Sequence, residues 1–206
     1  MAALAPISCR LPAAWRGSTG AVTGRVLVLG VGNTLRGDDG AGYCLARALM
    51  ECGGVEGADT RAVQMLNPGH FSLLEGYDFV VFVDAYVDPD MPPGRGVAVL
   101  ELDPSRLSPE DVAEIVQNTD PHGMDPIRLL VFAYAAGVFR GRGVLIGVRP
   151  ERIEFMKGLS GEVIERLVKA LEALGSVLQS KGARLVVDPG CVAAWLRERC
   201  RSPLLE

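Results

Sequence analysis

Chemistry-bearing residues fall at a few defined places in this chain. A glycine-rich stretch, Gly30-Val-Gly-Asn-Thr-Leu-Arg-Gly-Asp-Asp-Gly-Ala-Gly42, carries adjacent carboxylates at Asp38 and Asp39. Asp84 directly follows the apolar run Phe-Val-Val-Phe-Val. His122, one of two histidines, lies in the segment Thr119-Asp-Pro-His-Gly-Met-Asp-Pro126. A carboxylate placed like Asp84 loses hydration and needs a donor, a cation or a metal. Each position also has a plainer reading. An aspartate before a helix caps it, and Asp38 is read in such a cap or loop role, which leaves Asp39 to point into a crevice. His122 could hydrogen-bond its own turn. His70 is read as a surface or packing residue.

The elements that must position these residues follow from hydrophobic periodicity. Val26–Val31 is a continuous apolar run ending in glycines, the pattern of a strand buried on both faces. Ala41, Leu45, Ala48, Leu49 and Cys52 then recur on one face of a helix. A weaker strand is expected over 60–66, a short helix over 70–75, and strong buried strands over 79–83 and 144–148. Val97–Leu102 reads as an edge strand, because Gly94 and two prolines precede it. Ser108-Pro109-Glu110 and Asp125-Pro126 each open a helix, and Ser160 caps the longest one. Strands alternating with helices predict an α/β fold: a single three-layer domain with a twisted, mainly parallel sheet of about five strands flanked by helices. In such sheets ligands bind outside the carboxyl ends of the strands, where Asp39, Asp84 and His122 would converge.

Composition narrows the function. The 206 residues are 49% hydrophobic and 22% charged, which is the balance of a globular chain. Twenty-one Lys and Arg against 25 Asp and Glu leave no basic excess, so nucleic acid is excluded as a partner. No apolar run reaches the ~18 residues that membrane insertion requires. Five cysteines, an odd count without a C-x-x-C pair, fit neither a disulfide framework nor a zinc ribbon. Cys44 and Cys52 are therefore expected to be buried reduced thiols, as in a cytoplasmic protein. Residues 1–24 read as a flexible N-terminal extension, 25–181 as the domain, and 182–206 as a C-terminal tail with room for a short helix. A dinucleotide site fails because Leu35 stands at the third glycine position of G-x-G-x-x-G. A phospho-acceptor receiver fails because the last strand ends Gly147-Val-Arg149-Pro, with no lysine at its tip.

The first motif (Gly30-x-Gly-Asn-x-Leu-x-x-Asp-Asp-Gly-x-Gly42), the strand end Val83-Asp84-Ala85 and the loop Asp120-Pro-His-Gly-Met-Asp-Pro126 together resemble the hydrogenase maturation proteases. These endopeptidases remove a C-terminal extension from the large subunit of nickel-iron hydrogenases, and the match spans 25–181. The resemblance implies metal ligands at Asp39, Asp84 and His122, and catalytic carboxylates at Asp39 and Asp84, with Asp38 a further candidate. It leaves Asn33 and the glycine amides to shape the loop or contact substrate. It also implies that the metal is nickel held by the precursor itself, or another divalent transition ion in its place. Cleavage would then depend on nickel insertion, by way of metal-activated water or a carboxylate base. One departure is the pair Gly69-His70, where the family often has an acid soon after the proline. In the tail, Val187-Asp-Pro-Gly-Cys191 is read as a chance echo of the substrate's own terminus. Two other readings stay open: a nickel-dependent binding module or chaperone for the precursor, and a scaffold in which the aspartates only brace the sheet.

Overall fold

The computed structural model describes residues 24–87, 94–117 and 124–203. The N-terminal extension and His122 therefore lie outside the described residues. In chain order the elements are β1 (Val26–Val31), α1 (Ala41–Glu51), β2 (Val55–Glu56), β3 (Ala58–Val63), β4 (Phe79–Ala85), β5 (Val97–Leu102), α2 (Pro109–Gln117), α3 (Pro126–Ala135), β6 (Arg142–Val148), α4 (Gly161–Ser180), β7 (Arg184–Leu185) and α5 (Pro189–Arg199). The main sheet has the order β3-β1-β4-β6-β5. Its first four strands are parallel, and β5 lies antiparallel to β6 at the edge. This is the expected mainly parallel five-stranded sheet. A two-residue ladder joins β2 to β7.

Side-chain alternation explains why the central strands are apolar throughout. Val26 and Val28 of β1 enter a core shared with α1, α4 and α5, whereas Leu27, Leu29 and Val31 enter a second core shared with α3. In β4, Phe79, Val81 and Val83 face the first core and Val80 and Phe82 the second. Both faces are covered, so no position can be polar until the strand ends. Asp84 is the first residue past that constraint, and its parity sends it toward the α3 side.

Glycine at position 42 sets how closely α1 seats on the sheet. A Cβ there would fall 1.9 Å from the Val83 carbonyl oxygen and 2.5 Å from that of Val31. The first turn of α1 thus lies flush against the ends of β1 and β4. Gly32 adopts φ 146°, and a Cβ on it would meet the Asp39 carbonyl oxygen at 2.0 Å. These two contacts draw the turn carrying Asp39 down onto the end of β4.

The cysteines correct the sequence reading. Cys44 and Cys52 are buried as expected but not reduced: Cys44 is bonded to Cys200 and Cys52 to Cys191. Both bridges clamp α1 to α5, and Val192 and Leu196 of α5, with Cys200 just past its end, sit in the first core. The periodicity of α1 puts Cys44 and Cys52 on one buried face but carries no information about which helix meets that face. Two helices, each with cysteines eight or nine residues apart, can bond at two levels when they run antiparallel. Asp188 caps α5 by accepting from the Gly190 and Cys191 amides, and Pro189 takes its first position. Asp188-Pro189 is thus the start of a helix.

Candidate active site

Asp38 and Asp39 occupy a 3-10 turn, Gly37–Gly40, between β1 and α1. They are neighbours with opposite fates. Asp38 is wholly buried. Its carboxylate accepts from the backbone amides of Glu151 (2.9 Å), Arg152 (2.9 Å) and Ser160 (2.7 Å), and from the Ser160 hydroxyl (3.0 Å). It makes no side-chain cap on α1; the loop role expected for it is a long-range one. Those bonds tie the first motif to the segment between β6 and α4 and occupy both of its oxygens.

Asp38→Ala would leave these donors unpaired in the interior. The expected cost is about 3 kcal/mol of stability, measurable as a lower urea midpoint with unchanged slope. A variant as stable as wild type would show that the bonds contribute nothing net.

Asp39 is half-buried and receives a hydrogen bond from the Asn33 amide. Arg36 approaches it at 3.8 Å. Loss of hydration raises its pKa against the opposing pull of Arg36 and Asn33. The Asn33 side-chain oxygen accepts from the Leu35 amide at 2.9 Å, which fixes the loop's turn.

At the end of β4 the Asp84 pKa is raised well above the ordinary carboxylate range. Desolvation is the main cause, and the negative charges of Asp39 and Asp125 push in the same direction. The Ala85 amide, 2.8 Å from one Asp84 oxygen, opposes them only in part. The structure thus brings Asp39 and Asp84 within electrostatic reach and adds Asp125, which sequence reasoning took only for a helix opener. Asp125 caps α3 through the Arg128 amide (2.8 Å) and pairs with the Arg128 guanidinium at 3.0 Å. Burial raises its pKa too. The signal for Asp125 was its place three residues after His122 at the carboxyl edge of the sheet.

Among the described residues, no three of His, Cys, Asp and Glu are grouped closely enough to hold a metal ion. Asp39 and Asp84 supply two oxygen donors that repel each other and lack full hydration. A cation of charge two would relieve both costs, so the donor pair fits a divalent ion. His70 lies elsewhere in role: its Nδ1 accepts from the Asn67 amide at 3.1 Å, closing a capping box with Asn67 on the 3-10 helix Pro68–Leu74. A partly buried acid pair, one member with its charged form strongly disfavoured, can ligate a metal, activate water or protonate a leaving group.

No protein-family model matches the chain. The hydrogenase 2 maturation protease of Escherichia coli is 26% identical over 176 residues, covering 79% of this chain and 95% of that protein. The crystal structure of a hydrogenase 2 maturation peptidase from Thaumarchaeota archaeon SCGC_AB-539-E09 is 32% identical, with 76% of this chain and 99% of that chain covered and a TM-score of 0.55. A hydrogenase maturating endopeptidase from E. coli superposes with a TM-score of 0.62 over 81% of this chain and 99% of that one, at 24% identity.

Proposed function

Because the chain belongs to the hydrogenase maturation protease family, we propose that it cuts the C-terminal extension from a nickel-iron hydrogenase large-subunit precursor after nickel insertion. The observation that carries this reading is the convergence of Asp39 and Asp84 at the carboxyl edge of the sheet, each with its charged form disfavoured. Two such carboxylates, together with His122 as the family resemblance implies, would make an incomplete ligand set. It is suited to finishing the coordination of a metal that arrives with the substrate.

Nickel, as part of the substrate, supplies Lewis acidity toward a carbonyl or water when seated here. The chain's own residues do the rest. Loss of hydration and the negative charge of Asp39 disfavour the ionised form of Asp84 in the free protein, which opposes two adjacent negative charges before substrate binds. A cation carried in by the precursor would favour the ionised form of both carboxylates. An oxygen not engaged by the metal then stands ready to accept a proton from water. Asp38 is a positioning residue: it holds the wall at 151–160 against the loop that presents Asp39. We place the reaction in the cytoplasm, where the precursor is made. Separately, no described helix is long and apolar enough to cross a membrane.

His122→Ala tests the metal-sensing part. On nickel-loaded precursor its cleavage rate should fall to the rate wild type shows on nickel-free precursor, and its binding should lose nickel dependence. A variant that still distinguishes the two precursors removes His122 from the ligand set. Wild type that binds nickel-loaded precursor tightly yet never cuts it would establish a binding module instead.

A further inference from the structure

Residues 151–157, between β6 and α4, are all exposed. Among them Ile153, Phe155 and Met156 show 48%, 74% and 50% of their surface to solvent. A single exposed apolar residue needs no explanation, but three large ones on one short segment do. The segment is not slack. Asp38 accepts from the Glu151 and Arg152 amides, and its own amide donates to the Arg152 carbonyl at 3.1 Å. The Gly37 amide donates to Lys157 at 2.9 Å, and the Met156 amide donates to Leu35 at 2.7 Å. Arg36 and Lys157 form an isolated parallel bridge. Met156 is the only described non-glycine residue with positive φ, at 56°. Left-handed backbone at such a residue persists only where its surroundings impose it, and it collects at ligand clamps. A loop held this firmly, with its apolar side chains left in water, is built to be covered.

We propose that Ile153, Phe155 and Met156 form a rigid ledge on which an apolar stretch of the precursor polypeptide docks next to its scissile bond. The proposal rests on the endopeptidase reading above and names the surface by which that substrate is held. The ledge is fastened through Asp38 to the turn that presents Asp39, so a chain lying on it is held beside that turn. The ledge's charged residues, Glu151, Arg152, Glu154 and Lys157, cancel in sign. That balance favours an apolar partner over an anionic or cationic one. Met65, 67% exposed, follows Gln64, whose side chain accepts from the Thr34 hydroxyl at 3.2 Å.

The test compares full-length wild type with Phe155→Asp and Phe155→Leu on nickel-loaded large-subunit precursor. Binding is read by interferometry and cleavage by intact mass. Phe155→Asp should raise both Kd and KM by about tenfold or more, as loss of an aromatic anchor does, with kcat within about twofold of wild type. Phe155→Leu should keep most of the affinity. All three proteins should melt together, because Phe155 has little packing to lose. Equal Kd and KM for Phe155→Asp and wild type would overturn the ledge. Should wild type bind precursor without cutting it, the endopeptidase reading falls, while a tenfold binding loss in Phe155→Asp would still uphold the ledge. A wild-type dimer that Phe155→Asp splits, seen by sedimentation without precursor, would overturn it in favour of self-association.

Discussion

Asp84→Asn should lose cleavage of the precursor by about 10³-fold or more while folding more stably than wild type at neutral pH. The two effects share one cause. Asp84 sits where burial and the charges of Asp39 and Asp125 all disfavour its ionised form. Its folded pKa therefore lies above the unfolded value of about 4. Between those two values the native state holds a proton that the unfolded state has released, so stability falls as pH rises through that window. Below about pH 4 both states are protonated and the residue costs nothing. Asn keeps the shape without the titration, so the gap between variant and wild type should open as pH rises from about 4 toward neutral. Urea unfolding at pH 4, 6 and 8 reads it directly. Wild-type cleavage rates in Asp84→Asn would remove Asp84 from the chemistry. A variant less stable than wild type at pH 8 would mean that Asp84 is charged and well paired in the free protein.

Reduction of the disulfides is the change with the largest expected effect on stability. Cys44–Cys200 spans 156 residues and Cys52–Cys191 spans 139, nested inside it. Closing the outer loop restricts the unfolded chain by about 5 kcal/mol on a chain-entropy basis. The inner bond then closes only the short segments 44–52 and 191–200, and adds about 3 kcal/mol. For a domain of this size the combined loss lowers the melting temperature by roughly 15 °C or more. Thermal unfolding with and without a strong dithiol, under conditions where the thiols are shown to be free, gives the number. Because either bond alone closes a loop of nearly the same length, Cys52→Ser/Cys191→Ser and Cys44→Ser/Cys200→Ser should each cost about 3 kcal/mol. The outer bond also neighbours the site: the Leu159 amide donates to the Cys200 carbonyl at 2.7 Å, one residue before the Ser160 that binds Asp38. An identical melting temperature in both redox states would show that α5 is held by packing alone.

The sheet was legible because its central strands are covered on both faces. Nothing but a buried parallel strand explains Val26–Val31 or the run ending at Asp84, and the helix starts at Pro109, Pro126 and Gly161 carry local capping chemistry that is readable in a few residues. β3 was harder. Its residues alternate between exposed and half-buried at the sheet edge, and it runs Ala58–Val63, earlier than the expected 60–66. The two-residue strands β2 and β7 are too short to leave any periodicity. Within the site, the positions of Asp84, at a strand end, and Asp39, in the loop after β1, could be read from the sequence. The role of Asp38 could not, because its partners lie 113 to 122 residues away. The same holds for the disulfides. Pairing across such distances depends on how α1 and α5 dock, which the pattern of either helix does not contain. Asp125 shows the intermediate case: its cap on α3 is local and readable, but its charge acts on Asp84 only through the fold.

The intact mass of a hydrogenase large-subunit precursor, incubated with wild-type protein in nickel-loaded and nickel-free forms, tests the central claim most directly. The account predicts a single discrete loss from the C-terminus of the nickel-loaded form and an unchanged mass for the nickel-free form. An unchanged mass for precursor with verified nickel would contradict the endopeptidase assignment. Equal cleavage of both forms would contradict the proposal that Asp39, Asp84 and His122 read the metal.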